Sequence, residues 1–146
     1  MKAFFILSMV IFLTNIANQS FAQSPEEKKK IQEAQLDSVK TILIGEWKMT
    51  RASINDKEKK KVNGFMIFLD NGMFYNEEAT DPLTPNGKYK MMPNNTIQIT
   101  IGIEKYKNKI KELNDTALTL EMKTPEKDVI IMQFKRSLEK IEIKGY

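Results

Sequence analysis

The residues that could take part in catalysis are few in this sequence, and their types exclude more chemistry than they suggest. The chain has no cysteine and no histidine, which removes thiolate nucleophiles, imidazole acid–base catalysis and the usual ligands of zinc. An acidic cluster of Glu77, Glu78 and Asp81 lacks the glycine-supported loop of regularly spaced oxygen ligands that calcium requires. A carboxylate pair for glycoside hydrolysis would be assembled in space and stays open. We expect no catalytic residue, no metal site and no cofactor.

A stripe of lysines is the most obvious charged pattern. Lys105, Lys107, Lys109 and Lys111 alternate along one face of a predicted strand, and neighbouring outer faces offer few carboxylates, chiefly Glu104 and Glu121. Such a stripe could contact an anionic membrane or a polysaccharide. A solvated face that discourages edge-to-edge association is the commoner role, and we expect it here. The net charge of +4 is too weak to indicate a nucleic-acid partner.

Residues 1–22 have the pattern of a secretory signal peptide. Lys2 gives a positive start, an apolar run extends from Ala3 to Leu13, and a small-residue cleavage site ends at Ala22. A membrane anchor would need about 20 apolar residues, and polar residues interrupt this run too early. We therefore expect cleavage after Ala22 and an exported mature chain, periplasmic or secreted, with no transmembrane segment.

Residues 23–43 predict an amphipathic helix. Ser24 can cap it, Pro25 suits the first helical position, and Glu27 completes a capping box. Its apolar side chains share one arc at 100° per residue, and they are Ile31, Leu36, Val39, Ile42 and Leu43. The helix either closes one end of a barrel or is a loosely attached leader, and the first interpretation is favoured.

From residue 44 to residue 146 the apolar period becomes two, which predicts strands. Turn signals separate eight of them, at about 44–54, 62–69, 73–79, 88–92, 97–103, 105–113, 117–122 and 129–136. Tight turns between sequential strands favour an up-and-down meander, and closure into a barrel removes the exposed edges. Most second faces carry Lys, Glu, Gln and Thr rather than lipid-facing residues. The predicted fold is therefore all-β: a soluble, eight-stranded up-and-down antiparallel barrel behind an N-terminal amphipathic α-helix and a cleaved signal peptide.

The clearest hairpin signal is Asp70-Asn71-Gly72. A three-residue loop with glycine in the left-handed region places Phe68 opposite Phe74, so that both rings enter the core. A two-residue loop would instead place Phe68 opposite Tyr75 and turn Phe74 to the other face. We expect the three-residue loop because it buries two phenyl rings together.

Several short motifs in order resemble the lipocalins, and more closely the short lipocalin-like domains of bacterial cell-envelope proteins, which have a calycin-type barrel. They are Leu43-x-Gly45-x-Trp47, Phe68-x-x-Asn71-Gly72-x-Phe74, Gly87-x-Tyr89, Ile97-x-Ile99, Ile110-x-x-Leu113, Leu118-x-Leu120 and Phe134-x-Arg136. The resemblance implies that Trp47 plugs one end of the barrel and that Arg136 lies over its indole, with Gly45 completing a structural lock.

Strand parity supports the same pair independently. Arg136 shares a face with Met132 and Phe134, which should point inward. An inward guanidinium is costly unless it is paired or stacked, and an indole face is the best available stacking partner. We expect the two groups within about 6 Å of each other. Arg136 could alternatively anchor an anionic ligand, but the lock is favoured.

The predicted inner faces suit either a filled core or a ligand pocket. Arg51 and Asn108 are the polar exceptions, since parity places them beside Met49 and Ile110. The pocket candidates are Met49, Arg51, Phe68, Phe74, Tyr89, Tyr106, Asn108, Met132 and Phe134. The leading hypothesis is a non-enzymatic, monomeric carrier of a small hydrophobic or amphipathic ligand. The alternative is an interaction or structural module of the cell envelope with a filled barrel and no ligand.

Overall fold

The computed structural model describes residues 24–59 and 62–143. The predicted signal peptide at residues 1–22 lies outside this part of the chain. The chain divides into two compact units, residues 1–31 and 32–146, and every strand belongs to the second. The elements in order are α1 Pro25–Leu43, β1 Gly45–Ile54, β2 Lys57–Glu58, β3 Phe65–Phe68, β4 Met73–Asn76, β5 Gly87–Met92, β6 Thr96–Ile101, β7 Glu104–Leu113, β8 Ala117–Lys123 and β9 Val129–Arg136.

The strands form a closed antiparallel barrel. From β3 to β9 each strand pairs with the next along the chain, and β1 pairs with both β3 and β9. The closing register runs from Trp47 opposite Arg136 to Ile54 opposite Ile130. The two-residue β2 folds back on β1 and adds nothing to closure. The prediction of an eight-stranded up-and-down barrel with one preceding helix is confirmed, and the architecture is compatible with a calycin-type fold.

Helix α1 begins with the predicted capping box. The Glu27 N–H donates to the Ser24 hydroxyl at 3.2 Å, and the Ser24 N–H donates to the Glu27 carboxylate at 3.1 Å. At the other end Leu43 is fully buried in the barrel core, and Val39 packs against the same cluster. The last turns of α1 thus contribute apolar side chains to the core, while most of its other residues are exposed.

The hairpin between β3 and β4 has the predicted three-residue loop. Phe68 pairs with Phe74, the Leu69 N–H donates to the Met73 carbonyl at 2.9 Å, and Gly72 has a φ of 82°. Only glycine adopts that conformation without strain. Both phenyl rings are buried and stack with centroids 6.0 Å apart, and Tyr89 meets Phe68 edge-on at 5.1 Å.

A β-bulge in β1 makes the predicted inward position of Arg51 wrong. Met49 lies opposite Phe134 and Arg51 lies opposite Gln133, so Thr50 is an extra residue. A bulge of this kind reverses the alternation of side chains beyond it. Ala52 consequently takes the inner position opposite Met132 and is buried. The Arg51 side chain is 57% exposed and pairs with Glu58 at 3.0 Å.

The turn between β6 and β7 begins earlier than predicted. Ile101 pairs directly with Glu104, so the strand ends before residue 103, Gly102 and Ile103 form the turn, and Ile103 is 97% exposed. Glu104 then shares the parity of Tyr106, Asn108 and the buried Ile110. Its side chain is exposed and borders the depression beside the lysine stripe as well as the cavity.

The C-terminal tail forms no strand over residues 137–143. Ile141 and Ile143 instead pack against a small second cluster of Ile67, Tyr75 and Ala79. Ile67 and Tyr75 alternate with the inward Phe68 and Phe74, so this cluster covers the outside of the barrel wall. The tail thus protects apolar side chains that would otherwise face water.

Candidate ligand-binding site

One end of the barrel is closed by Trp47. Its side chain is fully buried, and its indole N–H donates to the carbonyl oxygen of Leu43 at 2.9 Å. The guanidinium carbon of Arg136 lies 4.3 Å from the centroid of the indole ring, within the limit of about 6 Å expected for a cation–π contact. An aromatic plug and an arginine thus occupy the end where α1 meets β1.

The polar atoms of Arg136 bind only backbone. Its Nε donates to the carbonyl of Asp115 at 2.7 Å, and its two terminal nitrogens donate to the carbonyls of Ile44 at 2.9 Å and Ile42 at 2.5 Å. These bonds join β9 to the turn before β8 and to the end of α1. The guanidinium therefore holds three chain segments together.

Gly45 is needed for this arrangement. A Cβ added there would lie 2.3 Å from the Arg136 Nη1 atom, and the φ of 134° is one that L side chains rarely adopt. A side chain at residue 45 would therefore displace the guanidinium and strain the backbone. The spacing of glycine and tryptophan at the start of β1 follows from the space that the arginine occupies.

The other end of the barrel contains a cavity of about 320 Å³. It lies toward the end of β6 and the start of β7, and it extends to Met66, the residue of β3 that pairs with Trp47. Apolar side chains dominate the wall, with a few polar groups among them. The lining residues are Met66, Phe74, Asn76, Glu78, Ile99, Ile101, Glu104, Tyr106, Asn108, Met122 and Met132.

Asn108 is the buried polar group of this cavity. Its side chain is 2% exposed, its Nδ2 donates to the Tyr106 carbonyl at 3.4 Å, and its Oδ1 is buried without a hydrogen-bond partner. A carbonyl oxygen can only accept, so the amide nitrogen must face Tyr106 and the amide oxygen must face elsewhere. Since a buried acceptor normally has a partner, this oxygen indicates a place for a donor.

The charged side chains of the lining are both carboxylates. Glu104 and Glu78 are exposed at the rim, and the Tyr106 hydroxyl donates its proton to Glu104. The Asn76 amide oxygen accepts from the Glu78 N–H at 3.0 Å and from Asn86 Nδ2 at 2.5 Å. In the loop between β4 and β5, hydrogen bonds from the Thr84 hydroxyl and the Leu83 N–H lower the pKa of Asp81, which is not part of the cavity lining. The mouth of the cavity is therefore acidic although the whole chain is basic.

The predicted pocket residues separate into three groups. Phe74, Tyr106, Asn108 and Met132 line the cavity. Phe68, Tyr89 and Phe134 belong to the packed core, with Met49 against it, and Arg51 is outside the barrel. Strand parity identifies Glu104 as a further lining residue, because it lies two residues before Tyr106. Asn76 and Glu78 reach the cavity from the end of β4, and no periodic pattern in the sequence predicts them.

The outer face of β7 carries the predicted lysine stripe. Lys105, Lys107 and Lys109 are exposed beside a shallow depression of about 940 Å³, and Lys111 pairs with Glu121 at 3.6 Å. Thr96, Gln98 and Thr100 face the stripe from β6. Glu104, Tyr106 and Met122 line both this depression and the cavity, so the two spaces adjoin.

The described residues lack both a metal-binding group and a membrane-spanning helix. They contain no group of three acidic, histidine or cysteine side chains that could hold a metal ion. Within residues 24–59 and 62–143, no helix is long and apolar enough to cross a membrane. Comparison with protein-family models, with curated proteins and with solved structures finds no match to this chain.

Proposed function

We propose that this chain is an exported, lipocalin-like protein that binds a small amphipathic molecule in the cavity at the Asn108 end of its barrel. The unpartnered Oδ1 of Asn108 carries the proposal. An amide acceptor buried without a hydrogen bond costs about 1–3 kcal/mol. A ligand that donates to this oxygen removes the cost, so the free protein is arranged for a bound state.

The rest of the lining supports the same function. The volume of about 320 Å³ lies at the lower end of the range of about 300–1,000 Å³ typical of ligand pockets. Met66, Met122 and Met132 contribute flexible, polarizable side chains to the wall, which adapt to ligands of different shape. The cavity suits a compact ligand with an apolar body and a polar head.

Two measurements test the proposal. Native mass spectrometry of the protein purified from its own source should show an additional bound mass that denaturation releases. A fluorescent apolar probe should bind to ligand-free protein. Met132→Trp, which fills the cavity, should abolish probe binding, whereas Met92→Trp on the outer face of β5 should leave it unchanged.

The outcomes separate the two function classes. Equal probe binding by both tryptophan variants would place the probe outside the cavity and contradict the proposed site. Absence of a bound mass together with absence of probe binding would instead favour the filled-barrel module of the cell envelope. The densely packed half of the barrel, where Trp47, Phe68 and Leu118 are fully buried, is the observation that favours this second candidate.

A further inference from the structure

We propose that the ligand is a cationic amphiphile, with an apolar body and a protonated amine head that donates to Asn108 and is attracted at longer range by the rim carboxylates. The inference rests on the proposed ligand-binding function and specifies its chemical class. It follows from the signs of the groups on the wall: a deep unpartnered acceptor at Asn108 and two carboxylates, Glu78 and Glu104.

The inner face of β7 provides a polar column that runs inward from the rim. Glu104, Tyr106 and Asn108 follow one another at alternate positions, spaced by about 6.6–6.8 Å along the strand. The Tyr106 hydroxyl already donates its proton to Glu104. The hydroxyl oxygen and the carboxylate can therefore only accept hydrogen bonds from a ligand. A head group that enters along this column meets acceptors, and it must therefore supply donors.

The charge of the cavity lining disfavours an anionic ligand. No lysine or arginine lines the cavity within the described part of the chain. Alternation along β7 places Lys105 and Lys107 on the outer face while Glu104 and Tyr106 face inward. A carboxylate head would meet Glu104 and Glu78 without a compensating cation. Like charges repel, and the repulsion is stronger where the wall of a cavity excludes water.

A series of matched ligands tests the inference. Octylamine, octanol and octanoate share one alkyl chain and differ in head group, and calorimetry on ligand-free protein at neutral pH gives their dissociation constants. We expect octylamine to bind roughly tenfold more tightly than octanol, and octanoate to bind more weakly than octanol. Asn108→Leu should weaken octylamine and octanol alike, by roughly fivefold, because both lose the same acceptor.

Paired charge variants locate the preference. The Glu78→Gln/Glu104→Gln protein should lose most of the advantage of octylamine over octanol. The control, Glu77→Gln/Glu121→Gln, removes the same charge from residues outside the cavity lining and should retain it. Thermal unfolding of each variant establishes that it is folded before binding is measured.

The failures of the two proposals are distinguishable. Equal or tighter binding of octanoate or octanol relative to octylamine would overturn the cationic class while leaving the cavity as a binding site. An equal loss of preference in both paired variants would also overturn it, since the effect would then be one of overall charge. Absence of binding by all three ligands and by the apolar probe would overturn the proposed function itself.

Discussion

At the scale of single residues, Trp47 and Arg136 should determine stability rather than ligand affinity. Trp47→Ala removes a fully buried indole and should lower the unfolding free energy by about 3–5 kcal/mol. Arg136→Ala leaves three backbone carbonyls without their donor and should lower it by about 1–3 kcal/mol. Denaturant unfolding measures both effects.

Arg51→Ala is the matched control for the arginine. Its guanidinium lies outside the barrel in an exposed ion pair with Glu58, so its loss should change the unfolding free energy by less than about 1 kcal/mol. If Arg136→Ala instead weakened ligand binding while unfolding matched that of the control, Arg136 would be an anion anchor and the lock would be refuted.

Parity alone explains which site residues were predictable. Asn108 and Tyr106 lie on the inner face as predicted, because β7 alternates regularly from Glu104 to Ile110. Its bulge near Lys111 comes only after these residues. Arg51 was not predictable, since an extra residue at Thr50 reverses the faces and neither glycine nor proline marks the bulge. The Asn108 oxygen could be assigned to the interior from sequence, but its missing partner could not.

At the scale of elements, Gly87 at the start of β5 should be required for the packing of Phe74. A Cβ added at Gly87 would lie 1.8 Å from Phe74 Cε1, and that ring is fully buried. Gly87→Ala should therefore lower the unfolding free energy by about 1–3 kcal/mol through overpacking, as urea unfolding would show.

A double-mutant cycle isolates the steric cause. Phe74→Leu replaces the phenyl ring with a smaller side chain and should make a subsequent Gly87→Ala substitution less costly. Gly102→Ala is the control, because a Cβ there meets nothing within 4 Å and only its φ of 58° opposes the change. Equal costs of Gly87→Ala with and without the Phe74 ring would contradict the explanation.

Local signals predicted the elements that depend on neighbours in sequence. The capping box at Ser24 and the glycine of the Asp70–Gly72 loop act over three residues, and both have the predicted geometry. The predicted fifth strand extends to residue 103, beyond the observed end of β6. The reason is that an alternating pattern of isoleucines continues through the turn that begins at Gly102. Hydrophobic periodicity does not distinguish a strand from a turn whose tip is apolar.

At the scale of the whole molecule, stability should decline at alkaline pH partly through Tyr89. Burial, and secondarily the charge of Asp70, raise the pKa of the Tyr89 phenol above its ordinary value. The folded protein then holds this proton more tightly than the unfolded chain does. Its stabilising effect is complete below about pH 10, where an unfolded tyrosine remains protonated, and is lost as the pH rises toward the folded pKa.

Comparison of wild type with Tyr89→Phe removes the contribution of the many lysines, which titrate in the same range. The unfolding free energy of wild type should fall more steeply than that of the variant above about pH 10. Parallel pH profiles for the two proteins would contradict a raised pKa in the folded state.

The closed barrel was predictable because turn chemistry and alternation extend over the whole strand region. Whether its interior is filled was not predictable, since the same apolar side chains serve a core and a pocket. The difference depends on how large rings such as Trp47 and Phe134 crowd one end while methionines such as Met122 and Met132 line the cavity toward the other. Side-chain volume at each level of the barrel decides this, and sequence order does not specify those levels.

The Arg136 contacts also impose an order in time. Ribosomes deliver the α1 end and β1 first, yet the donor that joins Ile42 and Ile44 arrives at the end of β9. The seam between β1 and β9 closes only with that same strand. In a nascent chain the Trp47 end therefore stays incomplete until residue 136 has emerged, and the barrel can close only after β9 has been synthesised.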